Sequence, residues 1–411
     1  MSKPTIRAQY DAVVSDLESR TLTAGHRLRY GVVGTGMMGR EHIAAVLMLK
    51  QADIAGMYDP NPQSLVCAKA IFEERKLLVP PCFDSLDAMV DSEAIDAFLI
   101  CTPNFTHRAV FDRIARSGKP IFLEKPMATT VADALYLVER TQHYTSPVQV
   151  GMQYRFKSQY QLALAALDRG DLGTVHTVAL CEYRPPFLSK VDEWNKFNRF
   201  SGGTLVEKCC HYFDLLNRIA LSLPARVFAS GGRAVNFLSF EHHGLPSDID
   251  DHAMVVIEYE NGVCGQFTLN MFSCELYEEL IVGGARGLLR TSERASFNPS
   301  RPSSASIQIE VPEHDAYDGF DCTFPSHIEA GGHYGSTLFE HDRFYRCIRG
   351  ERTEAATCQQ GLWAIVLAAM AQLSLQSGKV VDVRQALSDQ GVDPYSLVPV
   401  NGLWDELREK P

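Results

Sequence analysis

The sequence predicts an α/β protein: an N-terminal doubly wound parallel sheet, then an α+β domain whose sheet is largely antiparallel and open on one face. Three observations carry this. Over residues 28–150, short apolar runs alternate with helix-spaced segments, the pattern of a parallel sheet covered on both sides. A glycine-rich turn, Gly34 to Gly39, stands at the first strand-to-helix junction. Beyond residue 175 strand-like runs follow one another with no helix between them, two of them across the Asn261-Gly262 pair, a strong hairpin signal.

The elements follow in order. Residues 1–27 read as an extension, with a short helix over 11–19 and an arm to a neighbouring subunit as one use for it. Strands are expected at 28–33, 54–58, 97–101, 121–124 and 148–152, each a short apolar run. Helices are expected at 37–50, 63–75, 106–117 and 130–143, the last capped by the Thr130 hydroxyl. Residues 28–150 form the first domain. The second, 151–385, opens with a helix at 159–168 and continues through strands at 175–183, 226–230, 253–259, 263–271 and 279–282. Residues 291–306, rich in Ser, Arg and Pro, read as a loop. Helices at 337–349 and 359–376 follow, and 386–411 form a tail.

Composition narrows the function classes. Of 411 residues 45% are hydrophobic and 22% charged, the globular norm. Lys+Arg 39 against Asp+Glu 50 gives a net charge of -11, which argues against nucleic acid or an anionic membrane as partner. The longest apolar stretch, 362–370, falls short of the ~18–20 residues of a membrane span. The first residues lack the apolar core of a secretory signal, and eleven scattered cysteines suit reduced thiols. A cytoplasmic protein is expected, with a small-molecule partner.

Gly34-Thr35-Gly36-Met37-Met38-Gly39 has the spacing of a dinucleotide turn. Gly34 permits the tight turn, Gly36 admits a pyrophosphate against the backbone, and Gly39 lets the helix pack on the sheet. Asp59, twenty residues after Gly39, ends the second strand, where a carboxylate accepts from a ribose 2′-OH and repels a 2′-phosphate. No Arg or Lys follows closely, so NAD is expected over NADP.

With these residues the chain resembles the glucose–fructose oxidoreductase, inositol dehydrogenase and MocA family of two-domain oxidoreductases. The resemblance also rests on Cys101 to His107, on Glu124-Lys125-Pro126, and on Gly202 to Asp214, where the family commonly has Asp, three residues, His, two residues, Asp. Glu207 stands where Asp is more usual, and Lys208, Cys209 and Cys210 also depart from the common pattern. The resemblance implies that Thr102, Pro103, Asn104 and His107 lie against the cofactor beside Glu124. It makes Lys125 the active-site lysine and allows a cis Lys125-Pro126 bond.

Oxidising a secondary alcohol needs a hydride acceptor, a base, and a positive group for the developing alkoxide. His211 is the candidate base, with an unperturbed pKa of ~6.5. Glu207, four residues earlier, shares a helix face with it if 207–214 is helical, and either orients the ring or pairs with Lys125. Lys125 bonds the reacting oxygen or shares the proton relay. Gln153 and Arg155 are expected near the nicotinamide, Arg155 also toward substrate. Arg184, Lys190, Trp194 and Asn195 are expected on a loop over the pocket, and His333 and Tyr334, after a pair of glycines, are expected to enter the same site. Cys209-Cys210-His211 lacks zinc spacing, so no metal is expected.

The resulting expectation is an NAD-dependent dehydrogenase acting on a sugar, sugar acid, glycoside or cyclic polyol. The alternatives are an NAD-dependent glycoside hydrolase working by transient oxidation and elimination, and a non-catalytic cofactor sensor. The open sheet suggests a homodimer or homotetramer.

Overall fold

In the computed structural model the chain is described over residues 5–22, 27–295, 302–312, 318–397 and 403–404. Helix α1 (Ile6–Leu22) precedes the first sheet, whose strands are β1 (Leu28–Val33), β2 (Ala52–Tyr58), β3 (Ala97–Ile100), β4 (Ile121–Glu124) and β5 (Val148–Gly151). They pair in parallel in the order β2-β1-β3-β4-β5. β3 and β4 are buried at every position, which is why they read as unbroken apolar runs. Between the strands run α2 (Met37–Met48), α3 (Pro62–Glu74), α4 (Leu86–Val90), α5 (His107–Ala115) and α6 (Val131–Gln142). The Asn61 side chain caps α3, and the Thr130 side chain accepts from the Asp133 N–H to cap α6.

The second domain starts with α7 (Ser158–Asp168) and β6 (Val175–Tyr183). Short helices α8 (Asn198–Ser201) and α9 (Thr204–Glu207) lead into α10 (Cys210–Ala220). Then come β7 (Pro224–Gly232), a small hairpin β8 (Glu241–His242) and β9 (Leu245–Pro246), β10 (His252–Tyr259), β11 (Cys264–Asn270), β12 (Leu276–Gly284), β13 (Gly287–Ala295), β14 (Ser304–Glu310) and β15 (Asp318–Asp321). With β16 (Val381–Asp382) they make one nine-stranded sheet, order β15-β14-β13-β12-β6-β11-β10-β7-β16. Only the β6–β11 pair in it is parallel. The β10–β11 hairpin turns at Gly262, φ +86°, as the Asn-Gly pair predicts. β10 alternates buried and exposed residues, and Phe228, Met254 and Val256 are exposed on the open face.

The chain ends with α11 (Ser326–Glu329), α12 (Ser336–Ile348), α13 (Cys358–Ser377) and α14 (Val383–Asp389). α12 returns to the first sheet: Phe344 packs 5.7 Å from Tyr30 and 5.6 Å from Phe122, ring centre to ring centre. Among the described residues one helix, α13, is long and apolar enough to cross a membrane, and 67% of its apolar window is buried against α6, α10 and β7.

Three expectations are corrected. The expected loop at 291–306 carries the end of β13 and the start of β14, whose polar residues alternate with buried Thr291, Glu293, Ala305 and Ile307; 296–301 lie outside the described residues. The short helix expected at 11–19 runs as α1 from Ile6 to Leu22 and packs on its own chain, burying Ile6 and Leu17 and donating from Tyr10 Oη to the Thr323 carbonyl at 2.6 Å. α14 runs into the expected tail, burying Val383, Ala386 and Leu387.

Candidate active site

A cavity of about 840 Å³ lies where the carboxyl ends of the first sheet meet the second domain. Its floor is the glycine-rich turn. Gly34 has φ +91°, and a Cβ there would lie 2.7 Å from the Cys101 carbonyl carbon; one at Gly39 would lie 2.0 Å from the Gly34 oxygen. At Gly36 a Cβ would meet nothing within 4 Å. The turn is thus closed against the protein at two glycines and open at the third, where α2 begins with free N–H groups. Gly34, Gly36, Met37 and Met38 line the cavity, while Thr35 and Gly39 support the turn from behind.

Asp59 lines the same cavity and ties the turn down. Its Oδ2 accepts from the Thr35 N–H at 2.7 Å and the Thr35 hydroxyl at 3.2 Å, and its Oδ1 from the Asn61 N–H at 2.8 Å. Thr102, Pro103, Asn104 and Gln153 line the adjoining wall. The Asn104 Nδ2 and both amide atoms of Gln153 are buried without a hydrogen-bond partner among the described residues. Unmet donors and acceptors beside an open helix start fit a dinucleotide with its ribose hydroxyls and carboxamide.

The chemistry-bearing side chains gather at the other end. Lys125 follows β4, its peptide bond to Pro126 is cis, and its Nζ donates to the Glu207 carbonyl at 3.0 Å. Burial opposes its charge, but Glu207 and Glu124 outweigh that and hold the ammonium above its ordinary range. Glu124 is buried, with Oε1 2.6 Å from His42 Nε2 and Oε2 accepting from the Lys125 N–H at 2.9 Å. His211 begins α10 and stacks on Tyr154, ring centres 4.0 Å apart and planes 6° from parallel. It makes no hydrogen bond among the described residues, and its Nδ1 is buried. Burial, with Lys125 and Lys208 adding to it, pushes the imidazole well below its usual range, so it is neutral at pH 7.

Glu207 and His211 do not share a helix face. α9 stops at Glu207, a turn covers 208–209, and α10 restarts at Cys210. The Glu207 carboxylate turns instead to Lys190, whose Nζ donates to Oε1 at 2.7 Å. Burial favours its acid form, yet Lys190 and Lys125 prevail and bring it to about 2. Lys190 also lies 4.5 Å from the Trp194 ring centre. Trp194, Asn195, His333 and Tyr334 line the cavity as expected, with His333 Nδ1 2.5 Å from Glu41 Oε1.

Two expected residues stand elsewhere. His107 is fully buried, its ring nitrogens 3.0 and 2.9 Å from the carbonyl oxygens of Pro126 and Thr102, one of which accepts its N–H; it braces the two turns from behind and does not line the cavity. Arg155 also turns away, forming a forked pair with Asp214, both bonds 2.6 Å. Sequence reasoning missed Tyr154, Glu182 and Glu41, which line the cavity. Glu182 had a signal: on β6 it continues the buried register of Val178 and Leu180, an acid in an apolar row.

Known proteins share these features. Residues 28–152 match the family model described as oxidoreductase family, NAD-binding Rossmann fold, and residues 165–383 its C-terminal alpha/beta domain. Over 296 residues the chain is 30% identical to an inositol 2-dehydrogenase of Rhizobium meliloti, covering 71% of this chain and 80% of the relative. It is 26% identical over 261 residues to a myo-inositol 2-dehydrogenase of Thermotoga maritima, covering 63% and 74%. A solved levoglucosan dehydrogenase in complex with NADH has the same fold, TM-score 0.70 at 19% identity, covering 87% of this chain and 99% of that one. With both family domains matched in order, the chain belongs to the glucose–fructose oxidoreductase, inositol dehydrogenase and MocA family, an NAD-binding Rossmann domain joined to that family's C-terminal alpha/beta domain.

Proposed function

We propose that the protein is an NAD-dependent dehydrogenase that oxidises a secondary hydroxyl of a sugar, sugar acid, glycoside or cyclic polyol. One observation carries the reading: the Lys125 ammonium, the unpartnered His211 imidazole and the open backbone at Gly36 face one cavity. Gly34, Gly36, Met37, Met38, Thr102, Asn104 and Gln153 would hold the dinucleotide, and the bound NAD supplies the hydride acceptor. Asp59, followed by Pro60, Asn61 and Pro62 with no cation, favours NAD over NADP.

His211, neutral at working pH, takes the hydroxyl proton. Lys125 places a positive charge beside the oxygen as it becomes an alkoxide. Glu207 positions both lysines, Lys190 by its carboxylate and Lys125 by its carbonyl. The named activities of the inositol dehydrogenase relatives favour a polyhydroxylated ring. We further read the chain as cytoplasmic and homo-oligomeric through the face that exposes Phe228, Met254 and Val256.

The test is absorbance at the NADH band with NAD and a panel of polyols, aldoses, sugar acids and glycosides. His211→Ala should lower turnover by about 10²–10⁴-fold while NAD still quenches protein fluorescence. Lys125→Ala should cost activity similarly. Near-normal turnover in either variant refutes its role. A second, redox-neutral reading is favoured by the 26% identity over 267 residues to a 2,7-anhydro-N-acetylneuraminate hydratase of Escherichia coli. Product formation without net NADH would select it.

A further inference from the structure

Beside Lys125 and His211 the cavity wall carries two cations that proton abstraction does not use. Arg184 follows β6, and its Nε donates to the Pro185 carbonyl at 3.0 Å. Among the described residues its two terminal nitrogens have no hydrogen-bond partner, and the Glu182 carboxylate that faces them stands 3.8 Å away. Lys208 Nζ donates to Tyr154 Oη at 2.6 Å and lies 3.1 Å from the same Glu182 Oε1. One carboxylate, fully buried, therefore serves two cations, Lys208 buried and Arg184 partly so.

The neighbouring charges do not relieve this. Lys190 and Glu207 satisfy each other, and Glu124 is engaged by His42. At this end Lys125, Arg184, Lys190 and Lys208 face Glu124, Glu182 and Glu207, still one positive charge over, while Glu278 behind the wall supports Lys208 and is itself bonded to Lys157. Burial lowers the Lys208 ammonium, Glu182 restores part of it, and Arg184 lowers it again, to about 8. A guanidinium fork with free terminal nitrogens matches the two oxygens of a carboxylate, and an adjacent ammonium adds a third donor.

We propose that Arg184 and Lys208 bind a carboxylate carried by the substrate, so that the molecule oxidised is a sugar acid, a uronate or an aldonate. This rests on the dehydrogenase reading above. Lys208 is bonded to the hydroxyl of Tyr154, whose ring stacks on His211, so the bound carboxylate would sit on a carbon close to the reacting hydroxyl. A phosphate fits less well, because Glu182 sits between the cations and repels a second negative charge.

The experiment compares hexuronates and hexonates with the aldoses and polyols of matching stereochemistry, and with hexose monophosphates, as substrates of the full-length protein with NAD. The acid should have a kcat/KM at least about 100-fold above its neutral partner, mostly through KM. Arg184→Leu should collapse that ratio to within about threefold, and Arg184→Lys should recover part of it. Acid binding should also weaken as pH rises through about 8, where Lys208 loses its charge, with no such slope for a neutral sugar. Equal use of acid and neutral sugar, an unchanged ratio in Arg184→Leu, or preference for the phosphate overturns the proposal and leaves the dehydrogenase standing. If NADH forms with none of them, calorimetric titration of the NAD-loaded protein decides. Acid binding that Arg184→Leu abolishes sustains the carboxylate site while the dehydrogenase reading fails; absence of acid binding overturns the site.

Discussion

Lys157 tests whether charge bookkeeping in a dry interior predicts stability. Its Nζ lies 2.8 Å from Glu278 Oε1 and 2.6 Å from Glu293 Oε2, with all three side chains buried. One ammonium cannot neutralise two carboxylates there. Burial raises Glu293, which also faces the Glu278 charge; Glu278 is held below its usual range by Lys157 and a Tyr212 hydroxyl bond in spite of burial. Of the two acids, Glu278 is thus the one held toward its charged form beside the ammonium and Glu293 the one shifted toward its acid form. Lys157→Met strands the Glu278 carboxylate with only the hydroxyls of Tyr160 and Tyr212, at 2.9 and 2.8 Å, as donors. Breaking a buried pair in this way costs about 3–5 kcal/mol. Glu293→Gln removes the acid whose charge the site disfavours and keeps its shape and an acceptor for Lys157 and Gln159, so it costs less than Lys157→Met. The sign of the pH dependence follows. A carboxyl raised in the folded state contributes stability that is complete below its ordinary 4.5 and lost as pH climbs through the raised value, so wild type should lose ground to Glu293→Gln as pH increases. Urea unfolding followed by circular dichroism at pH 5 and pH 7.5 measures all of this. A Lys157→Met cost below about 1 kcal/mol, or Glu293→Gln costing as much as Glu278→Gln, would refute the assignment. Lys157 also lies 4.2 Å from the ring centre of Tyr154, the platform under His211, so Lys157→Met should lower kcat/KM as well.

Three further outcomes are expected. Gly36→Ala, with open space around its new methyl, should fold normally and bind NAD at least about tenfold more weakly, whereas Gly39→Ala, 2.0 Å from the Gly34 oxygen, should lower the melting temperature first; calorimetry of both distinguishes them. Asp59→Ala should raise the KM for NAD about 10–100-fold and narrow its preference over NADP, since a charged acceptor and the anchor of the Thr35 turn are lost together; unchanged preference counts against the ribose role. Burial opposes the Glu41 charge, but His333 prevails and brings the carboxyl to about 2 from the ordinary 4.5, so the stability it lends is complete above 4.5 and lost as pH falls through about 2; Glu41→Gln should flatten that part of the acid-unfolding curve.

What the sequence disclosed follows the range of the interactions involved. The turn from Gly34 to Gly39 and its Asp59 are read from local spacing, and Lys125 from a family motif at a strand end; Gly34, Gly36, Asp59 and Lys125 all line the cavity. Arg155 and His107 were misplaced because their partners come from elsewhere: Asp214, 59 residues on, claims the guanidinium, and carbonyls from two turns claim the imidazole. Glu207 escaped a local reading for the same reason, since Lys190 comes from another loop and the helix breaks at 208–209. Among the described residues of 291–306, Arg294, Ser304 and Ser306 mimicked a loop because they face solvent along two paired strands.

The return of α12 to the first sheet bears on how the protein is made. Tyr30 and Phe122 emerge from the ribosome early, but Phe344, which covers both, is synthesised more than two hundred residues after Phe122. The Gln51–Asp342 bond at 2.8 Å and the His42–His341 contact at 2.8 Å wait equally long. The nascent nucleotide-binding half thus carries an uncovered apolar face until α12 has been made, a window in which chaperones would be engaged. A gene cut between the two domains yields halves that each lack part of their own core, so the natural split-protein pair for this chain is one whose fragments assemble together.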